Sequence, residues 1–225
     1  PIRKELGDKG IFCYMIGYPG FQDWIFMFDG GLEAMTYAYY DYPDLIDELV
    51  YMQDKFVCRQ AELILDAKPD VLFLGGSGTL TLQSPSMFRK MALPTIKKVT
   101  KMAKEAGIPT MLHSCGKARK LVEILANETD LNCINPLERP PAGDCELKEI
   151  KQLFGHKIAL MGNLHTTDVM LNGTVEDVER AAMQAIDDAA EGGGFILSTG
   201  DQCGRDTPEE NIFKMIEVAR TYGRY

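Results

Sequence analysis

Residues 111–117 read Met-Leu-His-Ser-Cys-Gly-Lys, and two of them, His113 and Cys115, carry side chains that bind metal ions. Along an extended backbone, residues i and i+2 point to the same side. An H-x-C pair closing an apolar run therefore aims an imidazole nitrogen and a sulfur at one place. Both are good zinc ligands, with bond lengths of about 2.0–2.3 Å, and Gly116 lets the chain turn away sharply. The same pair also reads as a half-buried histidine donating to a backbone carbonyl beside a structural cysteine. Cys203, on the loop after the last apolar run, adds a third soft donor. Three protein ligands, His113, Cys115 and Cys203, with a fourth exchangeable position form the pattern of a catalytic zinc site. Thiolate-rich coordination also selects zinc over magnesium or calcium.

Other strand ends carry polar residues too. Glu138 reads as a fourth ligand that leaves when substrate arrives, or as a solvated carboxylate beside Arg139. His165 reads as an acid–base group or substrate contact, or as a surface residue near a helix start. In Gly75-Gly76-Ser77-Gly78, backbone N–H groups at Gly76 and Ser77 are suited to an anion. The stretch lacks the lysine of a P-loop, so a plain tight turn fits as well. Tyr18, with Trp24 and Phe28, and Asn163 at another strand end are candidates for lining a pocket; aromatic residues near a core also simply pack. The six cysteines are scattered along a well-cored chain, which favours metal binding or catalysis over disulfides. Cys13, Cys58 and Cys133 are expected to be small buried hydrophobes, whereas Cys145 sits in a polar, proline-flanked loop with no assigned role.

The elements that must position these residues alternate. Strands are expected over residues 10–17 and 70–76, a strand with its closing turn over 108–116, and strands each running into a loop over 130–138, 157–165 and 195–203. Helices are expected over 43–67, 84–107, 117–128, 145–155, 174–194 and 207–223. Leu45, Leu49, Met52, Phe56 and Leu63 mark a face of the first helix, with Asp41 as its upstream cap. Pro94 kinks or breaks the second. Thr174 with Asp177 resembles a capping box, and Thr207-Pro208 reads as an N-cap followed by proline at the first helical position. Six βα units in a row mean a parallel sheet covered by helices. The expected class is α/β, a (β/α)8 TIM barrel of which residues 1–225 supply about six units as a single, N-terminally incomplete domain; an open doubly wound sheet is the alternative. The absent units would lie on a truncated, cleaved or separately encoded N-terminal polypeptide, and a homo-oligomer is a further possible partner. In either class the carboxyl ends of the strands gather the site.

Composition narrows the function. The chain of 225 residues carries 24 Lys+Arg against 33 Asp+Glu, a formal net charge of −9, which argues against nucleic-acid binding through phosphate neutralisation. The opening stretch is charged, without the apolar core of a signal peptide. No apolar run approaches the ~18 residues of a membrane span. A soluble, cytoplasmic protein is expected.

The stretches "LHSCGK", "GHKIALMGNLHTTDVMLNGTVEDVE", "GGGFILSTGDQC" and "DTPEENIFKMIEVARTYGRY" resemble the C-terminal two-thirds of the uroporphyrinogen decarboxylase superfamily. "YDYPDLIDELV" and "MFRKMALPTIKKV" extend the likeness across nearly the whole chain. One branch holds metal-free decarboxylases, which carry a histidine in a Gly-His-Gly loop after the last strand; here that loop reads "STGDQCGRDTP", with no histidine. The other branch holds cobamide-dependent methyltransferases, whose zinc motif is His-x-Cys followed much later by Cys. The resemblance to that branch implies Zn2+ at His113, Cys115 and Cys203, and a corrinoid (methylcobalamin) carried by a partner protein. It also implies methyl transfer to or from a small thiol or other molecule. A metal-free decarboxylase and a non-catalytic corrinoid- or tetrapyrrole-binding barrel are the alternatives.

Overall fold

The computed structural model describes residues 2–224. The chain divides into two compact units, Pro1–His113 with Asn127–Asn132, and Ser114–Ala126 with Cys133–Tyr225.

In the first unit α1 (Ile2–Leu6) precedes β1 (Cys13–Ile16), α2 (Phe21–Trp24), α3 (Gly31–Asp41) and α4 (Pro43–Asp66). Then come β2 (Val71–Gly75), α5 (Thr79–Leu82), α6 (Pro85–Met91), α7 (Leu93–Glu105) and β3 (Thr110–His113). β1 pairs with β2 and β2 with β3, both parallel, with Gly75 opposite His113. The break expected at Pro94 is real. Pro94 occupies the first turn of α7, where a missing N–H costs nothing, and the Ser84 hydroxyl accepts the Met87 N–H to start α6 (3.2 Å). Phe21, Trp24, Ile25, Met35, Ile46, Met87 and Met91 form an apolar cluster, so Trp24 packs rather than lining an open surface.

Three local expectations need correction. Asp41 ends α3 instead of capping α4, whose N-cap is Tyr42 with Pro43 opening the helix. The face marked by Leu45, Met52, Phe56 and Leu63 is exposed, because Ile46, Val57, Ala61 and Ile64 on the opposite side meet the core. A helix apolar on two faces does not reveal by spacing which face is buried. Cys13 is exposed; among the described residues β1 is paired with β2 alone and buries only its Ile16.

The second unit contains α8 (Arg119–Glu128, its last two residues counted with the first unit), β4 (Cys133–Asn135) and α9 (Leu147–Phe154). β5 (Ala159–Leu164), a π-helix (Thr166–Leu171), α10 (Val175–Ala189), β6 (Phe195–Thr199) and α11 (Glu209–Thr221) follow. β4 and β6 flank β5 in parallel, with Cys133 opposite Ala159 and Asn163 opposite Ser198. The capping box at Thr174 and Asp177 is present in both directions. It starts a helix that buries Val178, Ala182, Ala185, Ile186 and Ala189, one stripe at helical spacing. Each fully buried Val or Ile there stabilises by about 1.5–3 kcal/mol. Pro208 is the N-cap of α11 and not its first residue: its ψ of 133° is extended, which moves the expected cap at Thr207 one residue out of place.

Within each unit strand order follows chain order, β1-β2-β3 in the first and β4-β5-β6 in the second. The class is therefore α/β with six successive βα units, the pattern of a (β/α)8 barrel. Among the described residues no helix is long and apolar enough to cross a membrane.

Candidate metal centre

β3 alternates as its sequence suggests. Thr110 and Leu112 are buried, while Met111 and His113 are half-buried on the other face. Cys115 follows two residues on and is also half-buried. The backbone of His113 is held by the Gly76 N–H, which donates to its carbonyl (3.1 Å). Buried Ser114 donates its N–H to the Asn135 carbonyl at the end of β4 (2.8 Å). Gly116 has φ +78°, the left-handed region that glycine adopts without penalty, and its N–H donates to Glu138 Oε2. The Asp144 carboxylate then accepts the N–H groups of Ala118 (2.7 Å) and Arg119 (2.9 Å), closing the first turn of α8. The segment around Cys115 is thus fixed by the loop that follows β4.

That loop is itself drawn tight. The Glu138 carbonyl accepts the Cys145 N–H (3.0 Å) and Gly143 donates to the Arg139 carbonyl (2.9 Å). A Cβ placed on Gly143 would stand 2.2 Å from the Glu138 oxygen and 2.7 Å from the Gly116 oxygen. Only glycine permits that approach.

At the end of β6 the chain bends. Gly200 donates to the Leu164 carbonyl (2.6 Å) and the Thr199 hydroxyl to the Asp201 carbonyl (2.7 Å). Asp201 Oδ1 accepts the Gln202 N–H (2.8 Å). Cys115 and Asp201 both belong to the second unit, and His113 is joined to it by the peptide bond to Ser114. One ligand atom from each of His113, Cys115 and Asp201 lies within 4.8 Å of the others, and all three residues are half-buried. A tetrahedral zinc with bonds of 2.0–2.3 Å separates its ligands by about 3.5 Å. An imidazole, a thiol and a carboxylate at this spacing fit such an ion with small side-chain movements. Cys203 is half-buried two residues beyond Asp201 and lies outside the group.

The remaining cysteines are set apart chemically. Burial pushes the Cys145 thiol up to about 12, with Asp144 adding to it. Burial also pushes Cys133 up to about 11. Cys58 is raised by burial and then by Asp54, and Cys13 by burial and then by Asp70. These thiols stay protonated at neutral pH.

The structure places the other expected site residues as follows. His165 is the N-cap of the π-helix, its Nδ1 accepting the Asp168 N–H (2.9 Å). With Arg139, Asn163, Gln184 and Asp188 it lines a small cavity of about 40 Å³. Asn163 is buried and donates to the Leu137 carbonyl (2.9 Å). Tyr18 is buried too; its hydroxyl accepts the Thr79 hydroxyl (3.2 Å), and burial raises its phenol above the usual range. Gly76 lies against the Tyr18 ring, where a Cβ would come within 2.7 Å, and Ser77 is exposed.

Strand-end donors on a parallel α/β scaffold of this kind have known counterparts. Residues 13–222 match the uroporphyrinogen decarboxylase (URO-D) family, and the chain belongs to it. A methylcobamide:CoM methyltransferase, MtbA, from Methanosarcina mazei is 29% identical over 182 residues, 80% of this chain and 50% of that protein. A methylated-thiol–coenzyme M methyltransferase from the same organism is 26% identical over 191 residues, 84% of this chain and 48% of that protein. The chain thus spans about half the length of these curated relatives. Among solved structures, a methyltransferase from Methanosarcina mazei superposes with a TM-score of 0.76 at 19% identity, covering 99% of this chain and 62% of the other. That likeness bears on the fold.

Proposed function

We propose that the chain is a zinc-dependent methyltransferase that moves a methyl group between a corrinoid carried by a partner protein and a small thiol. The observation that carries this reading is the imidazole–thiol–carboxylate group at His113, Cys115 and Asp201, in a chain whose relatives are methylcobamide:CoM methyltransferases. His113 and Cys115 hold the metal, completed by a side chain from the loop after β6. Zinc bound there would lower the pKa of a thiol in its open position, so that a thiolate is available near neutral pH.

The chain's own residues do the positioning. The Gly76 N–H sets the backbone of His113, and Ser114 and Gly116 pin Cys115 on either side. Glu138 supplies the acceptor for Gly116, so its carboxylate orients the Cys115 turn. A corrinoid held by the partner would supply the methyl group and keep the bonding electron pair on its cobalt, while the thiol sulfur would gain the methyl group and give its proton to solvent. The mouth of the site must admit the corrinoid partner, a macromolecule, as well as the thiol.

The test is direct. Purified protein reconstituted with zinc should hold about one ion per chain. Mixed with methylcobalamin and 2-mercaptoethanesulfonate or a similar thiol, it should change the cobalamin absorbance. A chain that binds no zinc after reconstitution, or a metal-free preparation that transfers methyl groups at the full rate, sinks the proposal.

A further inference from the structure

We propose that His165 is a pH-operated cap: neutral, it holds the first turn of the π-helix, and protonated, it releases that turn and pairs with the Asp168 carboxylate. The inference stands apart from the zinc reading and concerns the element that follows β5.

The geometry sets up the exchange. The His165 backbone is extended (ψ 122°), and its Nδ1 accepts the Asp168 N–H at 2.9 Å. An imidazole nitrogen that accepts a hydrogen bond carries no proton, so the one ring N–H lies on Nε2. A second proton can go only to Nδ1, and the lone pair that caps the helix is then gone. A cation at the start of a helix also opposes the helix dipole. The alternative partner stands on the same turn, with Asp168 Oδ2 3.7 Å from Nδ1. A small ring rotation closes that gap to a charge-assisted hydrogen bond. The proton comes from solvent, which reaches the ring, as 19% of the side chain is exposed.

The other polar groups facing His165 have partners of their own. On the loop after β4, Arg139 lies 3.6 Å from Glu146, and on α10, Asp188 accepts the Gln184 amide (3.0 Å). From α11 the neutral Asn211 donates to the carbonyls of Met170 and Gly173 (2.9 Å each). Protonation therefore trades one Asp168 contact for another. It changes local structure more than overall stability.

The two ends of the π-helix differ. Asn211 pins the far end, where Met170 is fully buried. At the near end the Val169 and Met170 N–H groups both donate to the His165 carbonyl (3.2 and 3.0 Å), and the Asp168 N–H relies on the imidazole. The first turn is the part that protonation frees. It begins one residue after Leu164, whose carbonyl accepts the Gly200 N–H (2.6 Å) and so links the ends of β5 and β6.

Nitrogen NMR and amide exchange on the 15N-labelled chain test this without an activity assay. At about pH 8 the His165 Nδ1 should resonate as an unprotonated nitrogen, with the Asp168 amide protected. At about pH 5.5 Nδ1 should carry a proton. Asp168 protection, corrected for the intrinsic rate, should then fall about 5-fold, the loss of one cap. His165→Asn caps at either pH and should keep Asp168 equally protected at both. Asp168→Asn removes the carboxylate that receives the imidazolium, so the gap in Tm between the two pH values should widen relative to wild type. If a variant folds poorly, the wild-type measurements decide alone. A proton on Nδ1 at pH 8, Asp168 protection that is the same at both pH values, or an equal fall in His165→Asn overturns the proposal.

Discussion

Replacing Gly143 by alanine should damage the metal centre without touching any ligand. The added Cβ would lie 2.2 Å from the Glu138 carbonyl oxygen, 2.7 Å from its carbonyl carbon and 2.7 Å from the Gly116 oxygen. The closest of these falls about 1.2 Å short of ordinary contact. All three neighbours are backbone, so no rotamer change relieves the clash. The φ of Gly143 is not positive, so the penalty is steric alone. Forced overpacking costs about 1–3 kcal/mol, and displacing the Glu138 carbonyl from the Cys145 N–H adds roughly 1 kcal/mol. For a chain of this size each kcal/mol lowers Tm by about 2–4 °C, so a drop of about 4–16 °C is expected. Glu138 and Gly116 must move apart, and zinc affinity should fall about 10–100-fold, as it does when an outer-shell partner is lost. Calorimetry and a chelator competition measure the two effects. Gly107→Ala is the control. It has φ +70° and nothing within 4 Å of a Cβ, so it should cost about 1–2 kcal/mol in backbone strain and leave zinc binding alone. A Gly143→Ala protein that melts within a degree of wild type refutes the packing argument. One that melts low but binds zinc normally refutes the link between this loop and the site.

Glu128 accepts hydrogen bonds from Lys97 (2.9 Å) and Arg89 (2.5 Å), which hold its carboxyl below the usual range, Lys97 contributing most. A depressed carboxyl stabilises the fold above its unfolded pKa and loses that contribution as pH falls through the folded one. Glu128→Gln should therefore cost about 1 kcal/mol at pH 7, and the difference should shrink as pH falls through and below the usual carboxylate range; a denaturant series in which it grows as the solution is acidified contradicts this. Leu160 is fully buried on β5, and Leu160→Ala should lose about 2–5 kcal/mol by urea unfolding, with a loss under 1 kcal/mol counting against the assigned core. Cys145 is fully buried with its thiol pushed up to about 12. Iodoacetamide at pH 8 should spare it in the native chain and label it in urea, and native labelling by mass spectrometry would contradict its placement.

The alternation of strands and helices was legible because each relies on local chemistry. Pro94 is excluded from a helix interior and so marks a helix start, and Thr174 with Asp177 marks another. The π-helix at Thr166–Leu171, which His165 caps, carries no signal that periodicity could register. Nor did spacing choose between the two apolar faces of α4, because that choice depends on residues far along the chain, Met87 and Met91 among them. Cys13 illustrates the same limit. Its type suggests burial, but among the described residues the strand that carries it is paired on one side.

His113 and Cys115 were legible as a pair because β3 is extended there, and alternation holds along an extended chain. The same parity, carried past Thr199, would place Asp201 and Cys203 on one side and favour the sulfur. It does not apply, because the chain is no longer extended. The Thr199 hydroxyl on the Asp201 carbonyl and the Gly200 N–H on Leu164 turn the backbone within two residues of the strand end. Beyond that turn the order of residues along the chain no longer tells which side chain reaches the ligands. A donor binds only from where the backbone can place it, and the order of residues past this turn does not choose between the Asp201 carboxylate and the Cys203 thiol.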